Sequence, residues 1–230
     1  MKTLYICFIL FFMALSNLPA RGEMSNYCRH EIQGWAVFIE KPVLKDKTTS
    51  QHVMDLLTAQ LVGINRMVPR AAAAKLHSVT IWVDLNHREF KCAVYHPSQT
   101  WLKNHGFDPN KAKSVHLANV KNFLKWTKEQ PWMVMHEMAH AYHHQCLGHD
   151  HLGIKQAFNQ ANETKIYDQV LHINGKTVKA YAMNNAKEYF AELTEAYFGT
   201  NDMFPFVRAE IQQHDPDMFK ILQKAWGKRE

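Results

Sequence analysis

The chain has 230 residues, 27 of them basic and 21 acidic, for a formal charge of +6. Its lysines and arginines are scattered, so this mild positive charge is that of an ordinary solvated surface and argues against a nucleic-acid-binding patch. Four cysteines with no C-x-x-C pair exclude a zinc knuckle, a thioredoxin-type site and a cysteine-stapled scaffold, which leaves stability to a hydrophobic core.

The first 22 residues read as an address. Lys2 supplies a positive start, Leu4 to Leu15 is an apolar run of 12, and Ser16 to Gly22 is a small-residue exit. Cleavage is expected after Gly22, with Ala20 as the alternative. The run is too short to span a bilayer, so the mature protein is expected to be secreted or periplasmic, without stable membrane insertion. Losing Lys2 and Arg21 leaves 25 basic against 21 acidic residues, a charge of +4 on 208 residues. Cys7 goes with the leader, and Cys28, Cys92 and Cys146 allow at most one intramolecular disulfide. No linker, charge block or repeat divides residues 23–230, so one domain is expected.

Along the chain, Gly34 to Val43 is rich in β-branched and aromatic residues and closes at Pro42, which predicts a strand ending at a sheet edge. Val53, Leu56, Leu57, Leu61, Ile64 and Val68 recur at helical spacing until Pro69. Val79 to Asp84, Cys92 to His96 and Ser114 to Ala118 read as further strands. Trp126 to Cys146 reads as one helix, with Pro131 in its first turn and Gly148 past its end, and Ile154 to Thr164 as a shorter one. Val170 to Ile173 and Lys176 to Ala180 flank Asn174-Gly175, a hairpin signal. Asn185 then caps a helix whose apolar stripe, Tyr189, Phe190, Leu193, Ala196 and Tyr197, ends at Gly199. Helices over Phe206 to His214 and Asp217 to Trp226 close the domain. The expected class is α+β, a small mixed sheet packed on helices.

The chemistry-bearing motif is His136-Glu137-Met138-Ala139-His140, an H-E-x-x-H on a segment read as helical for independent reasons. Chance supplies only about 0.05 such matches in a chain of this length and composition. Residues four apart lie about 40° apart round a helix, so both imidazoles can share one ion, while Glu137 stands to the side, placed to act as base and not as ligand. A catalytic zinc needs a third protein ligand and an open position. His143, His144, His149 and His151 lie near in sequence, but a third ligand on the same short helix is badly placed for a tetrahedron, and these four read as helix-end and loop surface. Glu188, on the helix that Asn185 caps, supplies a carboxylate from a second direction, with Glu192 and Glu195 along the same face. The competing reading of Glu188 is the second half of a capping box with Asn185. If Glu188 is the ligand, Glu192 can accept the far N–H of a ligand histidine and fix its ring.

With HEMAHAYHH from His136 and YAMNNAKEYFAE from Tyr181 to Glu192, the chain resembles the anthrax lethal factor-like zinc metallopeptidases. The resemblance is confined to these two blocks, and the N-terminal half has no motif of equal specificity. It implies a zincin-like metallopeptidase domain with one catalytic Zn2+, Glu188 as third ligand, and Tyr181 as hydrogen-bond donor to the developing oxyanion. In such enzymes the edge strand of the sheet takes the substrate as an added strand, and Ala93 to His96 is the candidate edge. The expected activity is hydrolysis of peptide or protein substrates with Glu137 as general base. Two other classes fit the same residues: a secreted zinc-containing module that holds peptides without turnover, and a hydrolase of non-peptide amides.

Overall fold

The computed structural model describes residues 23–227, so the expected leader lies outside the described residues. A 3-10 turn precedes β1 (Tyr27–Ile32), β2 (Trp35–Glu40), α1 (Lys41–Lys45), α2 (Lys47–Met67), α3 (Arg70–Leu76), β3 (Ile81–Val83), β4 (Ala93–His96), α4 (Gln99–Asn104) and β5 (Ser114–Leu117). Then come α5 (Val120–Trp126), α6 (Met133–Tyr142), α7 (Leu152–Thr164), β6 (Val170–Leu171), β7 (Thr177–Val178), α8 (Ala186–Phe198), α9 (Arg208–His214) and α10 (Pro216–Trp226). The class is α+β. Five strands form a mixed sheet in the order β1-β2-β3-β5-β4, and β6 and β7 form a separate ribbon. β2, β3 and β5 are parallel, while β1 and β4 run antiparallel to their neighbours at the two edges. Among the described residues no helix is long and apolar enough to cross a membrane.

Side-chain alternation splits the sheet into two faces. Val37, Ile81, Val115 and Tyr95 form one row and Ile39, Val83 and Leu117 another. Both rows belong to the main core, together with Val53, Leu57, Leu61 and Ile64 of α2 and the apolar residues of α6 and α8. Phe38, Trp82 and His116 lie in the row between them and so point to the opposite face.

Sequence expectation and structure part company in three places. β2 is not an edge: β1 pairs along it through a two-residue turn at Gln33-Gly34, with φ of +54° and +95°. Both left-handed positions suit a tight hairpin turn, but glutamine hides the first from a search for Asn-Gly or Asp-Gly. Pro42 instead sits in the first turn of α1, where its missing N–H costs nothing. The helix expected from Trp126 to Cys146 starts later, as α6 at Met133, and α5 before it was not expected. Asn119 caps α5 by accepting from the Asn122 N–H at 2.9 Å, α5 ends at Trp126, and a turn leads to α6. Past Tyr142 the path continues as a π turn, His143–Leu147, ending at Gly148 with φ +82°. The third difference is the hairpin, which is shorter than expected: His172 faces Lys176 across a three-residue loop in which Gly175 (φ +85°) takes the left-handed position. The other expected helices and strands agree within a few residues, with α2 starting earlier, at its Asp46 cap, while α3 and α4 carried no expectation.

Gly199 closes α8 as expected, though not through a left-handed backbone, since its φ is −152°. A Cβ there would stand 2.0 Å from the Trp132 ring, which also lies against Gly63 of α2. Trp132 thus wedges the start of α6 against the end of α8. Gly199→Ala is expected to cost roughly 1–3 kcal/mol, because the indole has to move out of a packed site; urea unfolding measures it.

On the outer face, buried Asp84 accepts from Lys111 Nζ at 2.5 Å, His116 Nε2 at 2.8 Å and the Tyr27 hydroxyl at 2.8 Å. His116 Nδ1 meets His96 Nε2 at 3.2 Å, which ties β4 and β5 to the end of β3. Burial works to raise the Asp84 carboxyl, but the hydrogen bond from His116 and the Lys111 ammonium hold it well below the usual range. Burial, with Lys111 nearby, pushes His116 down to about 4 and His96 to about 3. Both imidazoles are neutral when folded, whereas in the unfolded chain they take up protons near pH 6.5. Their contribution is therefore complete above pH 6.5 and is lost as pH falls towards 4, with Asp84 adding to the loss below that. Thermal unfolding from pH 7 to 4 should show this decline. Lys111→Met, which strands the Asp84 charge, should cost about 3–5 kcal/mol at neutral pH.

Candidate metal centre

Two helices build the site. α6 is rich in alanine and methionine and is buried on most sides. Its start has no cap of its own; Gln60 of α2 reaches across and accepts from the Val134 N–H at 2.9 Å, satisfying an otherwise orphaned donor. α8 is buried continuously from Tyr189 to Phe198. Asn185 caps it, accepting from the N–H groups of Lys187 at 2.9 Å and Glu188 at 3.1 Å. Tyr189 and Tyr167 donate to Asp215, which anchors the outer side of α8.

Because Asn185 serves the first turn of α8, the Glu188 carboxylate is free to leave its own backbone. Its Oε2 stands 3.1 Å from His136 Nε2 and 3.2 Å from His140 Nε2, and the two nitrogens are 3.1 Å apart. The capping-box alternative therefore holds only in its Asn185 half. Three donor atoms converge from two helices, mostly buried, at separations close to the edge of about 3.4 Å expected for a tetrahedral ion with bonds of about 2.0–2.1 Å. Two imidazole nitrogens and one carboxylate oxygen are also a donor set zinc accepts, so these residues fit such an ion.

The other nitrogen of His136, Nδ1, is 2.7 Å from Glu195 Oε1 and 3.4 Å from Glu192 Oε1. The nearer partner of the ring is Glu195, not the Glu192 singled out from sequence. An Nδ1–H held by Glu195 leaves the Nε2 lone pair facing His140 and Glu188, the tautomer a metal ligand needs. Glu192 and Glu195 form a second set around the same ring, but a ring that donates from Nδ1 cannot also ligate through it. Burial lowers the His136 pKa, and the hydrogen bonds of Glu188 and Glu195 outweigh it and carry the group well above its ordinary value. For Glu188 burial acts upward and the two imidazoles win, holding it below the carboxylate range. The centre is a place that favours positive charge.

Glu137 lies beside this set, buried, and burial raises its carboxyl despite the Tyr95 backbone N–H that bonds it. Cys92 and His96 turn their carbonyls to β5, accepting from Ala118 and Lys113. With a period of two, Ala93 and Tyr95 turn their backbone groups outward to the cleft. β4 is an edge of the sheet, as expected, and it roofs the site. Tyr181, in the turn before α8, is half exposed and borders the cleft on both sides of Glu137. Burial and then the Glu188 charge raise its hydroxyl.

The extra histidines do not join the metal set, but they are not plain surface either. His143 is buried against Phe190, ring centres 5.0 Å apart, and burial pushes it down to about 3. His144 Nδ1 meets the Tyr95 hydroxyl at 2.8 Å and stacks on His149, which borders the cleft. Cys28, Cys92 and Cys146 are all free thiols, and Cys92 lines the cleft, as do Trp126, Met133 and Met203. None of these four was marked by a motif. Glu195 did carry a signal: an acid seven residues past Glu188 on an otherwise apolar helix shares its face.

Comparison of the chain with family models, with curated protein sequences and with solved structures returns no match. What the site can do rests on its own geometry. Asn185→Ala is expected to cost about 1 kcal/mol and to speed hydrogen exchange in the first turn of α8; an unchanged exchange rate there would mean that the cap does not hold Glu188.

Proposed function

We propose that the protein is a zinc-dependent endopeptidase with a zincin-like domain, similar in its site to the lethal factor-like metallopeptidases, in which His136, His140 and Glu188 hold one Zn2+. The observation that carries this reading is the convergence of three donor atoms from α6 and α8 at 3.1–3.2 Å, with the Glu137 carboxylate alongside and an edge strand above. The reading of residues 1–22 as a leader supports work outside the cytoplasm.

Zinc, when bound, polarises a carbonyl and lowers the pKa of the water it holds towards about 7. Glu137 takes the proton of the attacking water and later delivers it to the leaving amine, serving as base and then as acid. Its burial suits that double task, since a carboxyl raised from its ordinary value holds the proton long enough to pass it on. The Tyr181 hydroxyl, raised and therefore protonated at neutral pH, donates to the oxyanion. Ala93 and the outward carbonyl of Tyr95 bind the extended peptide backbone as an added strand. Glu195, with Glu192 beside it, holds the His136 ring in orientation.

The test is digestion of a complex peptide mixture by the zinc-loaded protein, with and without chelator. Chelator is expected to abolish cleavage and restored zinc to recover it; a binding module without turnover would cut nothing in either arm. Glu137→Gln should keep about one zinc per chain and lose roughly 10²- to 10⁴-fold in kcat/KM. Near-normal hydrolysis by that variant would overturn the mechanism.

A further inference from the structure

The cleft divides at Glu137 into two hollows. One, of about 280 Å³, lies at the Cys92 and Ala93 end of β4, and the other, of about 270 Å³, lies towards Tyr95 and Pro97. A peptide added antiparallel to β4 places the residues that follow the scissile bond at the first of these, because its chain runs opposite to the strand. The second hollow is bordered by Lys187 and His149. The first is different in kind. Its walls are Trp126, Met133, Met203 and the Cys92 side of β4, with Gln130 and Tyr181 at its border, and two carboxylates, Glu192 and Glu195, close it.

Those carboxylates are nearly fully buried, at 1% and 2% exposure. Each has an Oε1 directed at His136 Nδ1, and in each the Oε2 makes no hydrogen bond. Asp202, also buried, is a third acid near Glu192 but borders a neighbouring hollow, with His172 Nε2 at 3.4 Å and the Gln130 side chain among its partners. Asn201 approaches Glu192 from the same loop. Among the described residues no lysine or arginine is paired with any of the three acids. Buried carboxylate oxygens without partners are costly, and a cation entering from the cleft would relieve that cost. A largely apolar hollow that ends at two carboxylates short of partners matches an aliphatic stem with a cationic tip.

We propose that this hollow is a specificity subsite for the residue immediately following the scissile bond, and that it selects lysine or arginine there. The proposal rests on the endopeptidase reading for its place in the substrate, but not for the cation-binding chemistry of the pocket, and the two are tested separately.

In the first arm, matched peptides carrying lysine, arginine, norleucine or glutamate after the cleaved bond are compared with the zinc-loaded protein. Lysine and arginine should exceed norleucine by about 10- to 100-fold in kcat/KM, the worth of a charge-assisted hydrogen bond in a buried site. In the double variant Glu192→Gln, Glu195→Gln overall turnover falls, since both acids stand against His136, and the readout is the ratio, expected to collapse towards one. The second arm needs neither turnover nor a variant: n-butylguanidinium and its neutral counterpart n-pentanol are titrated against the zinc-loaded wild type by NMR. The guanidinium is expected to shift resonances of Trp126 and Met203 at concentrations where the alcohol does not. Cleavage before apolar residues, with no guanidinium binding, overturns the subsite and leaves the peptidase standing. Guanidinium binding without any peptide cleavage keeps the cation pocket and removes the peptidase. Failure of both arms removes both, and a ratio that survives loss of the two carboxylates also defeats the assignment.

Discussion

One imidazole ring is held at both nitrogens by a single helix. His136 belongs to α6, and its Nε2 and Nδ1 meet Glu188 and Glu195 of α8 on opposite sides of the ring. Such a grip exists only while the two helices keep one separation and one rotation, so most of the surrounding packing can be understood as maintaining that crossing. Gln60 completes the start of α6, Trp132 fills the gap at Gly199, Asn185 seats the first turn of α8, and Asp215 holds Tyr189 on its far side. Slippage by one residue on either helix turns a donor about 100° away and leaves a buried carboxylate facing nothing. The two helices therefore have little freedom to drift without a large loss of stability.

The domain buries charge in two places and treats it differently. On the outer face of the sheet Asp84 has an internal cation, Lys111, with His116 and Tyr27 completing its shell, so that cluster is closed and structural. In the cleft Glu192 and Glu195 face a single imidazole, and each keeps an oxygen in reserve. Burial pushes both carboxyls up, helped at Glu192 by the Glu195 charge and at Glu195 by that of Asp202. The first cluster braces β4 through His96 and His116, which keeps the cleft's roof in register with the helices beneath it. A satisfied network supports the position of an unsatisfied one.

Much of this was legible in the residues. H-E-x-x-H on a helix and an acid opening a second buried helix located the centre, since their spacing follows from helical geometry alone. What hydrogen bonding decides in three dimensions was not. Whether Glu188 caps or reaches out depended on Asn185 taking both N–H groups, and whether Glu192 or Glu195 grips His136 depended on a rotation that spacing leaves open. Periodicity likewise misplaced the start of α6, because Trp126, Pro131 and Met133 continue an apolar rhythm across the turn that follows α5. β1 was missed for a plainer reason: Tyr27 to Ile32 contains Arg29, His30 and Glu31, and an exposed edge strand with that composition carries no apolar alternation. The hollow beside Glu137 is assembled from five separate stretches and has no linear pattern to find.

β4 is four residues long and stops before Pro97. An exposed edge of that length offers few unpaired amides, and proline cannot extend the ladder, so the strand is a poor template for stacking one copy of the chain onto another. If β4 takes a peptide as proposed above, the same brevity limits how much of that peptide can be read through its main chain. Whatever lies further out must be chosen by side-chain pockets or not at all, which lets a small domain tolerate wide variation in the flanks of what it grips.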